Sequence, residues 1–243
     1  MFGRNKILKQ DLRDDGKLWV EEIFPTIQGE GPLAGRPAIF VRLCGCNLKC
    51  FFCDTSFESF QDFYTPKQIL EKVQSFIQLD VISTDLVVLT GGEPLRQNIA
   101  PLCKMLVEDG FRVQIETSGT LWVDGLESLV QLSLAGSEPG VSIICSPKTG
   151  KVHPKIEEYC IAWKYIVSEN SCSSYDGLPV MSTQIPDRKN KLYRPKDLSN
   201  IYIQPCDDHD ETANKINNLY ALRIAMRFGY KLSVQIHKYV GAP

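Results

Sequence analysis

The chain has 243 residues, of which 43% are hydrophobic and 23% charged, and its formal net charge is -2. This composition is typical of a folded globular protein and excludes a collagen-like, low-complexity or disordered chain. Without a surplus of basic residues, nucleic-acid binding as the main activity is disfavoured. No segment approaches the ~18 apolar residues of a membrane span and no secretory signal is visible, so we expect a cytoplasmic protein with no membrane partner.

Apolar segments typical of strands alternate with helical patterns along most of the chain. Residues 1–17 are charged and predict a flexible amino-terminal extension, followed by a single domain over 18–243. Strands are predicted at 19–24, 38–43, 86–90, 112–116, 141–145, 163–167, 200–204 and 232–237. Helices are predicted at 65–79, 98–108 and 210–228. This alternation predicts an α/β fold, either a partial barrel or an open wound sheet, whose parallel strands are joined by crossover helices.

Local signals fix some details of these elements. Thr65 is expected to cap the first helix, with Pro66 at its first position. In the last helix the spacing predicts an inward face of Leu219, Leu222, Ile224 and Met226. The polar, proline-containing region 171–195 predicts an irregular insertion.

Four of the nine cysteines fall between residues 44 and 53. Cys46, Cys50 and Cys53 have the spacing C-x3-C-x2-C on a loop directly after the predicted strand 38–43. Iron–sulfur clusters are held by cysteine thiolates, normally four for a [4Fe–4S] cluster, so three would leave one iron open to a ligand. A structural zinc site that includes Cys44 and a group of inert buried thiols are the alternatives. In the iron–sulfur interpretation Cys44 faces the core at the strand end.

This loop, with an aromatic residue before its last cysteine, resembles the signature of the radical S-adenosylmethionine (SAM) superfamily. The resemblance implies a partial (β/α) barrel of the radical SAM type and a [4Fe–4S] cluster held by Cys46, Cys50 and Cys53. It also implies that the cluster cleaves SAM to methionine and a 5′-deoxyadenosyl radical. Three further motifs follow successive predicted strands and resemble SAM-binding segments, namely 90–94 (TGGEP), 116–119 (ETSG) and 146–148 (SPK).

Further segments resemble one family within that superfamily, the 7-carboxy-7-deazaguanine synthases. They are T-x-Q-G-E-G at 26–31, C-D-T at 53–55 and the carboxyl-terminal stretch 235–243. The resemblance implies a ring-contracting lyase of 7-deazapurine (queuosine-type) biosynthesis, which converts 6-carboxy-5,6,7,8-tetrahydropterin to 7-carboxy-7-deazaguanine with loss of ammonia. It further implies Mg2+ bound by Thr55, a flavodoxin or ferredoxin as electron donor, and a homodimer.

The resemblance carries over to individual residues. The positions that match SAM contacts are Phe52, Cys53, Asp54, Gly92, Glu93, Glu116, Ser118, Ser146, Pro147, Lys148, Gln204, Pro205, Cys206 and Asp207. In the GGE segment, the Glu93 carboxylate is expected to engage the SAM amino group. The positions that match substrate contacts are Ile27, Gln28, Gly29, Arg42, Thr90 and Pro243.

Two rival functions fit part of this pattern. A glycyl-radical-enzyme activase has the same cysteine spacing but acts on a large partner protein and does not require the 26–31 segment together with Asp54 and Thr55. A zinc-stabilised binding module would explain the cysteines without any reaction. Formation of the deazaguanine product separates the first rival, and metal analysis separates the second.

Overall fold

Parallel strands dominate the structure, a computed structural model that describes residues 5–53, 62–130, 138–184 and 190–243. The strands are β1 (Leu18–Ile27), β2 (Pro37–Leu43), β3 (Phe63–Tyr64), β4 (Leu86–Gly91), β5 (Arg112–Thr117), β6 (Val141–Cys145), β7 (Cys160–Val167), β8 (Ile201–Pro205) and β9 (Lys231–Leu232). The helices are α1 (Pro66–Gln78), α2 (Ala100–Glu108), α3 (Pro154–Tyr159), α4 (Glu211–Phe228) and α5 (Ile236–Val240). No helix among the described residues has the length and apolarity needed to cross a membrane.

The strands of the described ranges form one sheet in the order β3-β1-β2-β4-β5-β6-β7-β8-β9. Every neighbouring pair from β2 to β9 is parallel, whereas β1 runs antiparallel to both β2 and β3. Within the described residues β3 and β9 form the two edges, so the barrel is open. The predicted partial (β/α) barrel with parallel strands is therefore confirmed, and the carboxyl ends of its parallel strands lie at one rim.

The central strands, which are nearly continuous apolar runs in the sequence, are buried in the structure. All residues of β6 and the first four of β4 are buried, as expected for strands covered on both faces. Helix α1 begins with the predicted cap, because the Thr65 hydroxyl accepts from the Gln68 amide while the Gln68 side chain accepts from the Thr65 amide. The core is continuous from β1 to β8.

The predicted strand 232–237 is wrong beyond residue 232. β9 contains only Lys231–Leu232, and residues 236–240 form α5. The chain leaves the sheet because Ser233 donates its amide to Ile203 and accepts from the Gly31 amide, after which the Ile236 amide donates to the Gly29 carbonyl at 3.1 Å. These bonds turn the segment across the rim of the barrel.

The predicted inward face of α4 is also wrong, except at Ile224. Leu219, Leu222 and Met226 are exposed, and the buried positions are Asn217, Ala221, Ile224 and Ala225. Small alanines let the helix lie close to the sheet. The side-chain amide of Asn217 bonds the Cys206 carbonyl at 3.0 Å and Asp208 at 2.8 Å, so this polar residue is satisfied although buried.

Two segments that carry no regular element still make defined contacts. In the amino-terminal stretch, the Leu8 amide donates to the Cys46 carbonyl at 2.8 Å, and Gln10 bonds the Leu95 and Trp122 carbonyls. Flexibility of 1–17 and the single domain 18–243 stay predictions. Residues 171–184 and 190–195 contain turns and isolated bridges but no helix or longer strand, as predicted for the insertion.

Candidate active site

The cysteine loop packs tightly against the segment that follows β4. A side-chain carbon at Gly91 would lie 2.0 Å from the Leu43 carbonyl oxygen, and one at Gly92 would lie 2.2 Å from the Gly45 carbonyl oxygen. The amides of Gly92 and Glu93 bond those same carbonyls at 3.2 and 3.0 Å. Both glycines are therefore required for the close approach of two backbones.

Cys46, Cys50 and Cys53 are half-buried and line the same cavity, which has a volume of about 250 Å³. Burial, with a smaller contribution from Glu93, raises the pKa of the Cys46 thiol to about 12. Such a thiol becomes a thiolate when a cationic centre displaces its proton. Three thiols of one short loop that line the same cavity are the type of donor set that an iron–sulfur cluster takes.

Cys44 lies apart from the other three cysteines of the loop. It is fully buried, and its thiol donates to a Glu21 carboxylate oxygen at 3.2 Å. Its carbonyl accepts from Arg96 and Gln97 at 3.3 and 3.2 Å. This placement agrees with the expectation that Cys44 faces the core rather than the cluster.

Residues at the ends of β5, β6 and β8 complete the cavity around the thiols. Of the positions matched to SAM, those that line this cavity are Phe52, Cys53, Gly92, Glu116, Ser118, Ser146, Lys148, Gln204, Pro205, Cys206 and Asp207. Burial lowers the pKa of Lys148, whose ammonium contacts the Ser146 hydroxyl and lies 5.7 Å from the centre of the Phe52 ring. Pro147 does not line the cavity, and Asp54 and Thr55 lie outside the described residues.

The Glu93 carboxylate is bonded within the protein, and its contact with SAM stays a prediction. The side chain is fully buried and does not line the cavity. Its carboxylate accepts from the Thr117 hydroxyl at 2.7 Å, the Ser118 amide at 2.9 Å and the Leu95 amide at 3.1 Å. Glu93 thus fixes the turn after β5, which presents Ser118 to the cavity.

A second cavity of about 300 Å³ adjoins the first. Every position matched to the substrate lines it, namely Ile27, Gln28, Gly29, Arg42, Thr90 and Pro243. The Arg42 guanidinium pairs with Glu22 at 2.7 Å and lies 5.2 Å from the centre of the Phe24 ring. His237 packs directly on Gly29, where a side-chain carbon would lie 1.7 Å from its Nδ1 atom.

The two cavities share five residues, Glu30, Thr90, Gly91, Glu116 and Gln235. Between the two carboxylates lies Lys164, whose side chain is only 8% exposed. Its ammonium contacts Glu30 and lies 3.7 Å from Glu116 Oε2. Burial alone would raise the pKa of Glu30, but the charge and hydrogen bond of Lys164 outweigh it and leave that pKa lowered.

Amides satisfy the remaining carboxylate oxygens of this group. Gln235 and Gln204 donate to Glu30 Oε1 at 2.7 and 3.0 Å, and Gln28 donates to Glu116 Oε1 at 2.8 Å. We call Glu30, Glu116 and Lys164 the junction triad. The sequence prediction assigned no role to Glu30 or Lys164, although a lysine within the apolar run of β7 was a usable signal.

Comparisons with known proteins agree with this geometry. The Radical SAM superfamily model matches residues 41–143, which include the cysteine loop and the TGGEP and ETSG segments. The 7-carboxy-7-deazaguanine synthase of Rhodospirillum rubrum is 44% identical over 243 residues, with 98% of each chain covered. The synthase of Rickettsia prowazekii is 41% identical over 249 residues, covering 99% of this chain and 95% of its own.

Among solved structures, the crystal structure of QueE from Escherichia coli matches with a TM-score of 0.58 and 23% identity. The match covers 90% of this chain and 94% of the other. At that identity the likeness concerns the fold, and it supports the partial barrel.

Proposed function

Since this chain belongs to the 7-carboxy-7-deazaguanine synthase family of radical SAM enzymes, we propose that it is a carbon–nitrogen lyase converting 6-carboxy-5,6,7,8-tetrahydropterin to 7-carboxy-7-deazaguanine with loss of ammonia. The observation that carries the proposal is the junction of two cavities. Three thiols face one cavity, and the positions matched to the pterin face the other. A radical formed in the first cavity would thus meet a substrate held in the second.

The test is product formation under anaerobic, reducing conditions. Incubation of the reconstituted protein with SAM and the carboxytetrahydropterin is expected to yield the deazaguanine and ammonia, with SAM regenerated at each turnover. A glycyl-radical-enzyme activase would cleave SAM without forming this product. Colourless protein with stoichiometric zinc after anaerobic purification would instead support the binding module.

Cys46, Cys50 and Cys53 would hold the cluster, and the strand-end residues would hold SAM. When bound, these groups supply reductive cleavage of SAM to a 5′-deoxyadenosyl radical. The protein's own contribution is positioning, because hydrogen abstraction needs near-attack distance and exclusion of water. The side chains of Gln28 and Gln204 are buried, so their amide groups reach the junction of the two cavities while shielded from solvent.

The second cavity offers groups of the right kind for a carboxylated pterin. The planar guanidinium of Arg42 suits the substrate carboxylate or a pterin carbonyl. Carboxylates of the junction triad suit ring N–H donors, because a hydrogen bond to an ionised acceptor is stronger than one to a neutral acceptor. Thr90 lines both cavities and lies where the two ligands would meet.

Mg2+ is proposed as a third cofactor, with Thr55 as its protein ligand. A hydroxyl oxygen suits this hard cation, and the substrate carboxylate and water would complete the shell. In Thr55→Val, which keeps the branched shape but removes the oxygen, we expect the cluster and SAM binding to persist while Mg2+ stimulation of turnover is lost. Product formation is measured against Mg2+ concentration in both proteins, and an unchanged activation curve would disprove the assignment.

Pro243 is proposed to close the pterin cavity. Its carbonyl oxygen accepts from the Thr26 hydroxyl at 2.8 Å, which holds this residue against the end of β1. Removal of Pro243 is expected to raise the KM for the pterin roughly tenfold. A tenfold change corresponds to about 1.4 kcal/mol of binding free energy, which is the loss expected from one or two missing contacts. SAM cleavage without pterin should not change. Thr26→Val, which removes only the anchoring bond, should show a smaller increase, and a KM unaffected by either change would contradict the role.

A homodimer is proposed from the exposed face of α4. Ile216, Leu219 and Met226 are exposed at helical spacing, and Tyr239 of α5 is also exposed, with its hydroxyl 3.4 Å from Asn218. Apolar patches of this kind mark protein interfaces. A light-scattering mass of two chains is the expected result, and Leu219→Asp should reduce it to one. A flavodoxin or ferredoxin donor and a cytoplasmic location remain proposals from the sequence.

A further inference from the structure

Residues 181–184, part of the irregular insertion, lie against the cysteine loop. The Phe51 amide donates to the Thr183 carbonyl at 3.0 Å, and the Lys49 amide donates to Gln184 Oε1 at 2.9 Å. Cys50 and Gln184 form an isolated antiparallel bridge. The insertion therefore supports the cysteine loop that lines the cluster cavity, a role that its polar sequence did not predict.

Two side chains of this segment donate to one sulfur atom. Thr183 Oγ1 lies 3.1 Å from Cys50 Sγ, and Gln184 Nε2 lies 3.2 Å from the same atom. For comparison, Leu48 N lies 3.4 Å from Cys46 Sγ, and Asn5 Nδ2 lies 3.4 Å from Cys53 Sγ. The sulfur of Cys50 thus receives two short side-chain contacts from one segment.

The donors are held in place by the backbone around them. The Thr183 amide and the buried Ser182 hydroxyl both donate to the Lys148 carbonyl, at 3.0 and 3.1 Å. The Gln184 amide donates to the Ser182 hydroxyl at 3.2 Å. The Thr183 hydroxyl has one proton, and the Lys148 carbonyl at 3.1 Å competes for it. The Gln184 side-chain amide has two protons, so it can donate to Cys50 Sγ and to Thr183 Oγ1 at the same time.

We propose that Thr183 and Gln184 are positioning residues that set the reduction potential of the cluster through the Cys50 sulfur. The inference rests on the proposed function, since it requires that Cys50 ligate the cluster. Reduction adds negative charge that spreads onto the ligating sulfurs, and N–H or O–H donors stabilise that charge. Both residues therefore raise the potential and make the cluster easier to reduce.

The test is a redox titration of the reconstituted protein, in which electron paramagnetic resonance measures the fraction of reduced cluster at each potential. Thr183→Val combined with Gln184→Leu removes both donors and is expected to make reduction by a fixed donor about tenfold less favourable, or about 59 mV more negative for one electron. Gln184→Glu keeps the acceptor for the Lys49 amide but adds a negative charge, and should shift the potential in the same direction. Thr149→Val is the matched control, because that hydroxyl bonds the Lys151 carbonyl and no sulfur.

Iron and sulfide contents identify the cause of a negative result. A wild-type protein that holds no cluster would contradict the proposed function itself. Variants that hold a full cluster with the potential of Thr149→Val would overturn the present inference alone. Loss of the cluster from both Gln184→Glu and the double variant would also overturn it. The segment would then be needed to hold the cluster in the protein and would not be shown to set its reduction potential.

Discussion

Replacing Cys46, Cys50 or Cys53 by Ala is expected to abolish both the cluster and product formation. Each change removes one of the three proposed thiolate ligands, all of which line the same cavity. Iron, sulfide and visible absorbance are measured after anaerobic reconstitution, and activity should fall to that of the cluster-free protein. This is the largest effect that we expect from any single substitution.

Cys44→Ala is the matched control, two residues from the first ligand. Its thiol is fully buried and bonded to Glu21, so this variant should keep its iron and most of its activity. Some loss of stability is expected from the missing sulfur. If Cys44→Ala lost the cluster while Cys46→Ala retained it, the ligand assignment would be wrong.

Lys164→Met is expected to have the second largest effect. The change leaves the Glu30 and Glu116 carboxylates in the junction without their cation, and breaking a buried ion pair costs about 3–5 kcal/mol of unfolding free energy. Urea unfolding measures this loss. Lys155→Met is the control, because the Lys155 side chain is 36% exposed and solvent screens its pairs with Glu127 and Asp124, so this change should cost little stability.

The same variant has a predicted pH dependence. With Lys164 present, the folded-state pKa of Glu30 lies below its ordinary value of 4.5, so its contribution to stability is present above pH 4.5 and is lost as the pH falls further. Without Lys164 the two largest influences that lower this pKa are lost and the weaker Gln235 hydrogen bond remains, so burial is expected to raise the pKa and make the carboxylate less favourable above pH 4.5. The stability difference between the two proteins should therefore shrink on acidification. A constant difference from pH 7 to pH 3, or no rescue by adding Glu30→Gln, would contradict this account.

The sequence was most informative where structure is local. The cap at Thr65 and the apolar strand predicted at 86–90 each depend on a few neighbouring residues, and both predictions agree with the structure. The side chains of Glu30 and Lys164 meet across 134 positions of sequence, and no local pattern encodes such a pair. In the sheet four strands separate β7 from β1, and the pair forms because the segment that follows β1 contacts β7 in the folded chain.

The predicted inward face of α4 failed for a physical reason. The large apolar residues were assigned to the core, yet alanines and an asparagine pack on the sheet and the large residues face outward. Hydrophobic spacing alone does not show where small residues let a helix approach a sheet closely.

The bond between Glu30 and Gln235 spans 205 residues, and that between Thr26 and Pro243 spans 217. A polypeptide emerges from the ribosome amino-terminal end first, at about 5–20 residues per second. The cysteine loop and β1 therefore leave the exit tunnel many seconds before the residues that complete the adjoining cavity. Contacts this distant in sequence form slowly, because the long intervening chain must first be ordered. Until then the motif 26–31 and the three thiols lack the residues that adjoin them in the folded chain, so we expect oxygen to reach these thiols most easily during synthesis.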